Sequence, residues 1–183
     1  MSAEECFGNV LYHSVPDVSA WGKLYHRSVM ERVVYPEGMR YEDTYVFADV
    51  LETSGKLAYT PKPLYFYRVR PATICWDSYT PSQMEFLPAV DRLCERVLQM
   101  FPVMKAGTIR RRMHAALSIR RYFVNCPPEI RSQRDALEKI VRHNAWSIMK
   151  NRRAPVRDKI AVLAVLCGPW VYDLLWKIYS RSR

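Results

Sequence analysis

Glycine is scarce in this chain, six residues in 183. That leaves no dinucleotide fingerprint, and Ser54-Gly55-Lys56 has no glycine-rich loop ahead of it to cradle phosphates. Cysteine is equally uninformative as a framework. Cys6, Cys75, Cys94, Cys126 and Cys167 are scattered, odd in number and without a Cys-x-x-Cys spacing. They argue against a zinc site or a disulfide scaffold and fit a reducing compartment. His13, His26, His114 and His143 show no ligand-like spacing, and there is no Gly-x-Ser-x-Gly nucleophile motif. No apolar run reaches the length of a membrane-spanning helix. The start, Met-Ser-Ala-Glu-Glu, lacks the basic and apolar regions of a secretory signal. These absences lead to the expectation of a cytoplasmic location, and they exclude no chemistry that relies on carboxylates and arginines.

What is present is an ordinary globular composition, 49% hydrophobic and 25% charged, in a length sufficient for one core with or without a helical appendage. The charge is unevenly placed. Residues 1–80 hold 8 Lys/Arg and 10 Asp/Glu, whereas residues 81–183 hold 20 and 8. The positive field of the second half attracts polyanions: phosphate-bearing substrates, nucleic acid or an acidic membrane surface.

The apolar pattern divides the chain near Tyr79-Thr80-Pro81. Before it, residues 1–20 carry little periodic signal, with Asn9–Tyr12 as a short strand or helix end. Trp21–Glu31 reads as helical, and Val33–Tyr35 as a short extended piece. Glu42–Leu51 reads as a helix with Gly55 as its stop. Leu57–Thr60 and Leu64–Arg70 read as strands, the second alternating Leu64/Phe66/Arg68 against Tyr65/Tyr67/Val69. After the divide, Thr80, Pro81 and Gln83 form a helix-start signature, and Pro88 is expected to kink or restart that helix. Further helices are predicted over Thr108–Val124, with arginines opposite the apolar face, over Glu129–Met149, and from Pro155 to Tyr179 with a bend at Gly168-Pro169. No internal repeat or low-complexity segment is present.

Three blocks in the first half, in order, are Trp21-Gly22-Lys23-Leu24-Tyr25, Tyr41-Glu42-Asp43-Thr44-Tyr45 and Tyr65-Phe66-Tyr67-Arg68-Val69-Arg70. Over about Trp21–Ile74 the chain resembles the second half of a family 2 glycosyltransferase catalytic domain, the nucleotide-sugar-dependent kind with a GT-A fold. The resemblance implies an α/β remnant of a GT-A domain over residues 1–79, its acceptor-side part. A basic α-helical bundle over residues 80–183 follows, so the whole is mostly α. It also implies that Asp43 is the general base of an inverting transfer, with Glu42 beside it orienting the base or binding acceptor. The competing reading of the pair is that the two acids favour a helix N-terminus electrostatically.

Arg68 and Arg70 share one face of the expected strand. They either contact the diphosphate of a donor or lipid-linked acceptor, or belong to a solvated face with salt bridges. Lys23 and Trp21 are substrate-contact candidates by the same resemblance, against a surface lysine and a core anchor. The family's cation-binding Asp-x-Asp does not occur in the sequence. The chain is therefore expected to be a C-terminal portion, inactive alone, of an enzyme of cell-surface polysaccharide synthesis. The Mg or Mn ion of that enzyme would be held elsewhere. Its partners would be a nucleotide-sugar donor and a glycan or lipid-linked acceptor.

The last stretch adds a second reading. Ile160, Leu163, Leu166, Trp170, Leu174 and Ile178 are interleaved with Arg157, Lys159, Lys177 and Arg181. Such a segment either lies in a membrane interface, peripheral at the inner face of the cell membrane, or closes the bundle core. A non-catalytic basic module that docks on a membrane or a protein is the alternative function. No recognised nucleic-acid module accompanies the charge.

Overall fold

The computed structural model describes residues 1–68, 79–124 and 127–181. The chain divides into two compact units, Met1–Met104 and Lys105–Arg183.

In the first unit, α1 (Ala3–Val10) starts at a reciprocal cap: Glu5 N–H donates to Ser2 Oγ at 3.1 Å and Ser2 N–H to Glu5 Oε2 at 2.9 Å. α2 is a single turn, Arg27–Met30, rather than the Trp21–Glu31 helix expected. Gly22 turns the chain at φ +68°, and His26 Nδ1 then accepts Ser28 N–H at 3.3 Å as the N-cap. α3 (Glu42–Ser54) ends at Gly55, φ +67°, as its sequence predicts. A 3₁₀ turn over Pro81–Glu85, with Thr80 N–H bound to Gln83 Oε1 at 2.8 Å, leads into α4 (Phe86–Met100). Pro88 falls in the first turn of α4, where its missing N–H has no intrahelical acceptor to lose, so no kink is needed there.

α1, α3 and α4 meet around Phe7, Leu11, Phe47, Leu51, Leu93 and Val97, all buried. Phe7 sets its ring edge-on to Phe47 at 6.4 Å. Each such side chain contributes roughly 1.5–3 kcal/mol by leaving water. Beside this core the α3–α4 seam is pinned by Asp49, which takes Arg92 at 2.6 Å and Arg96 at 3.2 Å. A second cluster, Val29, Val33, Val46 and Val50, packs the segment before α3 onto it, with Tyr25, Tyr35 and Tyr45 alongside.

The expected α/β remnant of a GT-A domain is contradicted. Among the described residues there is no strand, only an isolated antiparallel bridge between Ser2 and Lys56. Leu57–Thr60 and residues 64–68 alternate as strands should. Alternation yields a strand only where another strand accepts the backbone bonds and a layer covers the apolar face. Leu57 exchanges backbone hydrogen bonds with Met1, but among the described residues beyond it no strand forms, and Leu64 is 76% and Phe66 94% exposed. Val69 and Arg70 lie outside the described residues.

The second unit consists of α5 (Lys105–Arg120), α6 (Arg131–Lys150), α7 (Val156–Cys167) and α8 (Pro169–Arg181), each packed on the next. The single bent helix expected over 155–179 is two helices, because Gly168, at φ +134°, breaks it. Of the four arginines of α5 only Arg112 is on a solvent face. Arg110, Arg111 and Arg120 are buried among Met113, Ala116, Leu117 and Ile119. Two of these are held by acids from later helices: Arg110 by Asp158 of α7 at 2.6 Å, and Arg120 by Glu138 of α6 at 2.7 Å and Asp173 of α8 at 2.9 Å.

Candidate functional site

Asp43 is the second residue of α3, and the chain enters that helix through Tyr41 in a left-handed conformation, φ +67° and ψ +31°. An L residue with a Cβ adopts this conformation at a cost, and such positions cluster at functional sites. Tyr41 offers no side-chain cap, so the amide of Thr44 in the first turn needs another acceptor. Asp43 Oδ1 supplies it, taking Thr44 N–H at 2.5 Å and Thr44 Oγ at 3.2 Å. Among the described residues no hydrogen bond reaches the other oxygen, Oδ2. The carboxylate thus gives one oxygen, Oδ1, to the first turn of the helix.

Burial raises the pKa of the half-buried Asp43 carboxyl above its ordinary 3.8. The Thr44 amide opposes the shift, and the charges of Glu42 and Asp17 add to it. The Tyr25 phenol is likewise pushed up, first by burial, then by its hydrogen bond with Tyr35, with Asp43 and Asp17 acting in the same direction. Burial also opposes ionisation of Asp17, but hydrogen bonds from Ser19 and Lys23 outweigh it and hold that carboxyl below the ordinary range.

Lys23 is committed to this local structure. Its Nζ lies 3.0 Å from Asp17 Oδ1 and 2.5 Å from the Ser19 carbonyl, while Ser19 N–H closes an Asx turn on Asp17 Oδ1 at 3.2 Å and Ser19 Oγ donates to the same oxygen at 2.5 Å. Trp21 stacks on Tyr65 at 5.3 Å and on Tyr67 at 5.1 Å, and remains 45% exposed. The first sequence block thus touches the third through Trp21, and Tyr25 of the same block lies in the field of Asp43. Glu42 is half-buried beside Asp43. Arg68 is exposed, and no ion pair joins it to Asp43 or Glu42 among the described residues. Arg70 lies outside them, so a convergence of the two arginines is not part of the observed site.

Sequence reasoning missed Asp17, Ser19 and Tyr35. The Asp-x-Ser spacing was a turn signal available in the sequence; Tyr35 carried none.

Among the described residues no group of three His, Cys, Asp or Glu could hold a metal ion. They do not fit the divalent cation that the resemblance implies, and none of the chemistry assigned to this chain runs through one. A concavity of about 410 Å³ in the second unit, lined by Arg134, Asp135, Glu138, Lys139, Arg142 and Pro169, contains none of the candidate site residues.

No protein-family model matches the chain. No solved structure matches it. Among curated proteins it is similar to Glycosyltransferase GlyA of Streptococcus pneumoniae serotype 4 (strain ATCC BAA-334 / TIGR4). The two are 33% identical over 100 residues, 52% of this chain. The chain spans 14% of that protein's length. Over half its length, then, this chain is related to a glycosyltransferase.

Proposed function

We propose that this chain contributes the acceptor side of an inverting, family 2-type glycosyltransferase that transfers a sugar from a nucleotide-sugar donor to a glycan or lipid-linked acceptor of the cell surface. The observation that carries the reading is the half-buried carboxylate at the start of α3, in a site where the first sequence block reaches both the second and the third. The similarity to a glycosyltransferase supports the same reading.

Asp43 Oδ2 accepts the proton of the acceptor hydroxyl as that oxygen attacks the anomeric carbon. The bond from that carbon to the donor's diphosphate breaks, its electron pair leaves on the phosphate oxygen, and the configuration inverts. Desolvation makes Asp43 a stronger base than a surface aspartate while leaving it ionised above its raised pKa. Glu42 orients the acceptor beside it. Trp21, backed by Tyr65 and Tyr67, presents an apolar edge to a sugar ring, and Lys23 keeps the loop that carries Trp21 in place through Asp17 and Ser19. Arg68 and Arg70 are proposed as contacts to the diphosphate. A divalent cation would be supplied by another portion of the full enzyme.

The test uses the longest product of the reading frame containing this chain, with a panel of nucleotide sugars and release of nucleoside diphosphate as the readout. Asp43→Asn should abolish acceptor-dependent release while nucleotide-sugar binding is retained. Acceptor-dependent release at the wild-type rate in that variant would remove Asp43 from the base role.

A further inference from the structure

Only two acids, Asp158 and Asp173, occur in residues 156–181, and both turn inward, Asp158 to Arg110 and Asp173 to Arg120. What α7 and α8 leave outside is therefore apolar and cationic. On α7, Val156, Ile160 and Leu163 recur at intervals of four and three residues, 72%, 52% and 47% exposed. On α8, Trp170, Leu174 and Ile178 recur every four, 70%, 51% and 59% exposed. The α7 stripe is flanked by Arg157 and Lys159, and the α8 stripe by Lys177 and Arg181. At the break between the helices Trp170 folds back on Gly168: a Cβ added there would lie 3.4 Å from the indole nitrogen.

We infer that this face of α7 and α8 docks the protein on an anionic bilayer surface, with both helices lying in the plane of the headgroups. Exposed apolar rows of this extent mark an interaction surface. The charge selects the occupant: cations flank both rows, and the acids of these helices are engaged by Arg110 and Arg120, which leaves a face complementary to anionic lipid. Tryptophan favours the headgroup depth because its ring is apolar and its N–H polar. The helices have 12 and 13 residues, and among the described residues none is long and apolar enough to cross a membrane, so the contact is interfacial. The inference is independent of the transfer chemistry at Asp43.

The test is co-sedimentation of the whole chain with phosphatidylserine-rich vesicles and with pure phosphatidylcholine vesicles. Alongside it, fluorescence quenching by brominated acyl chains is read in the wild type and in Trp170→Phe. The protein should sediment with the anionic vesicles and far less with the neutral ones, and its quenchable emission should drop in Trp170→Phe. Ile160→Glu with Leu174→Glu, both at exposed positions, should lower partitioning on the order of tenfold or more with helical circular dichroism unchanged. Lys159→Gln with Arg181→Gln should weaken binding to the anionic vesicles alone. Equal binding to both lipids, or binding unaffected by the Glu pair, would overturn the inference. So would a lipid-free dimer, seen in sedimentation velocity and dissolved by the Glu pair, since it would assign the face to a second copy of the chain.

Discussion

Arg120 donates from Nε to Glu138 Oε1 across 2.7 Å, and both side chains are almost wholly removed from water. The same guanidinium lies 2.9 Å from Asp173 Oδ1 and 4.7 Å from the centre of the Tyr172 ring. A buried ion pair adds little over a well-packed apolar pair, but losing one partner strands the other charge. Arg120→Ala should therefore destabilise the second unit by about 3–5 kcal/mol, read from urea unfolding with hydrogen exchange to localise the loss to α5 and α6. Arg120→Met with Glu138→Leu should recover most of it, because Asp173 keeps access to solvent. A double variant as unstable as Arg120→Ala would contradict the ion-pair explanation.

Acid should weaken the same unit in two stages. Burial holds the His114 pKa below its ordinary 6.5, against the pull of Asp158. The unfolded chain then binds a proton that the folded one refuses, so stability present above 6.5 is lost as pH falls through the lowered folded value. Asp158 is lowered below 3.8; its own desolvation opposes this, but hydrogen bonds and charge from His114 and Arg110 prevail. Its contribution is present above 3.8 and lost as pH falls through its folded value. Melting temperatures across this range should decline from about 6.5 downward, and His114→Gln should remove the upper stage and shrink the lower one, which His114 helps to set. A flat profile in the wild type between 6.5 and 4.5 would count against the assignment.

The α3–α4 seam sets an apolar contact against an ionic one. Leu93 is fully buried against Phe7 and Phe47, and its truncation to alanine should cost about 2–5 kcal/mol. Asp49→Asn weakens two ion pairs whose side chains are 24–35% exposed, and solvent screening limits that loss to about 1 kcal/mol. Equilibrium unfolding of the two variants should preserve this order. The reverse order would mean that charge rather than burial holds the first unit together.

Helices written by capping and periodicity were legible in the sequence. Glu42–Leu51 with Gly55, the Thr80-Pro81-Gln83 signature and the later apolar repeats all mark helices that are present. Ser2-x-x-Glu5 was an equally clear cap and went unread, because eight residues gave too few turns for periodicity. The tertiary partner of a charge was not legible. Arg110 and Arg120 read as the face opposite the apolar one, yet Asp158 and Glu138, 48 and 18 residues further along, pair with them inside, together with Asp173. For the same reason the alternation at residues 64–68 misled: whether an extended segment becomes a strand depends on a neighbouring strand. At the site, the acidic pair was visible as chemistry. That Asp43 Oδ1 accepts the Thr44 amide followed only from the entry at Tyr41.

The most direct measurement is the pH dependence of acceptor-dependent transfer, set beside the carbon-13 titration of the Asp43 carboxyl in the same protein. Burial of Asp43 predicts that both curves share one midpoint above 3.8, with transfer lost as the carboxyl gains its proton. An Asp43 that titrates at or below 3.8, or a transfer rate that stays level through its titration, would contradict the assignment of Asp43 as the base.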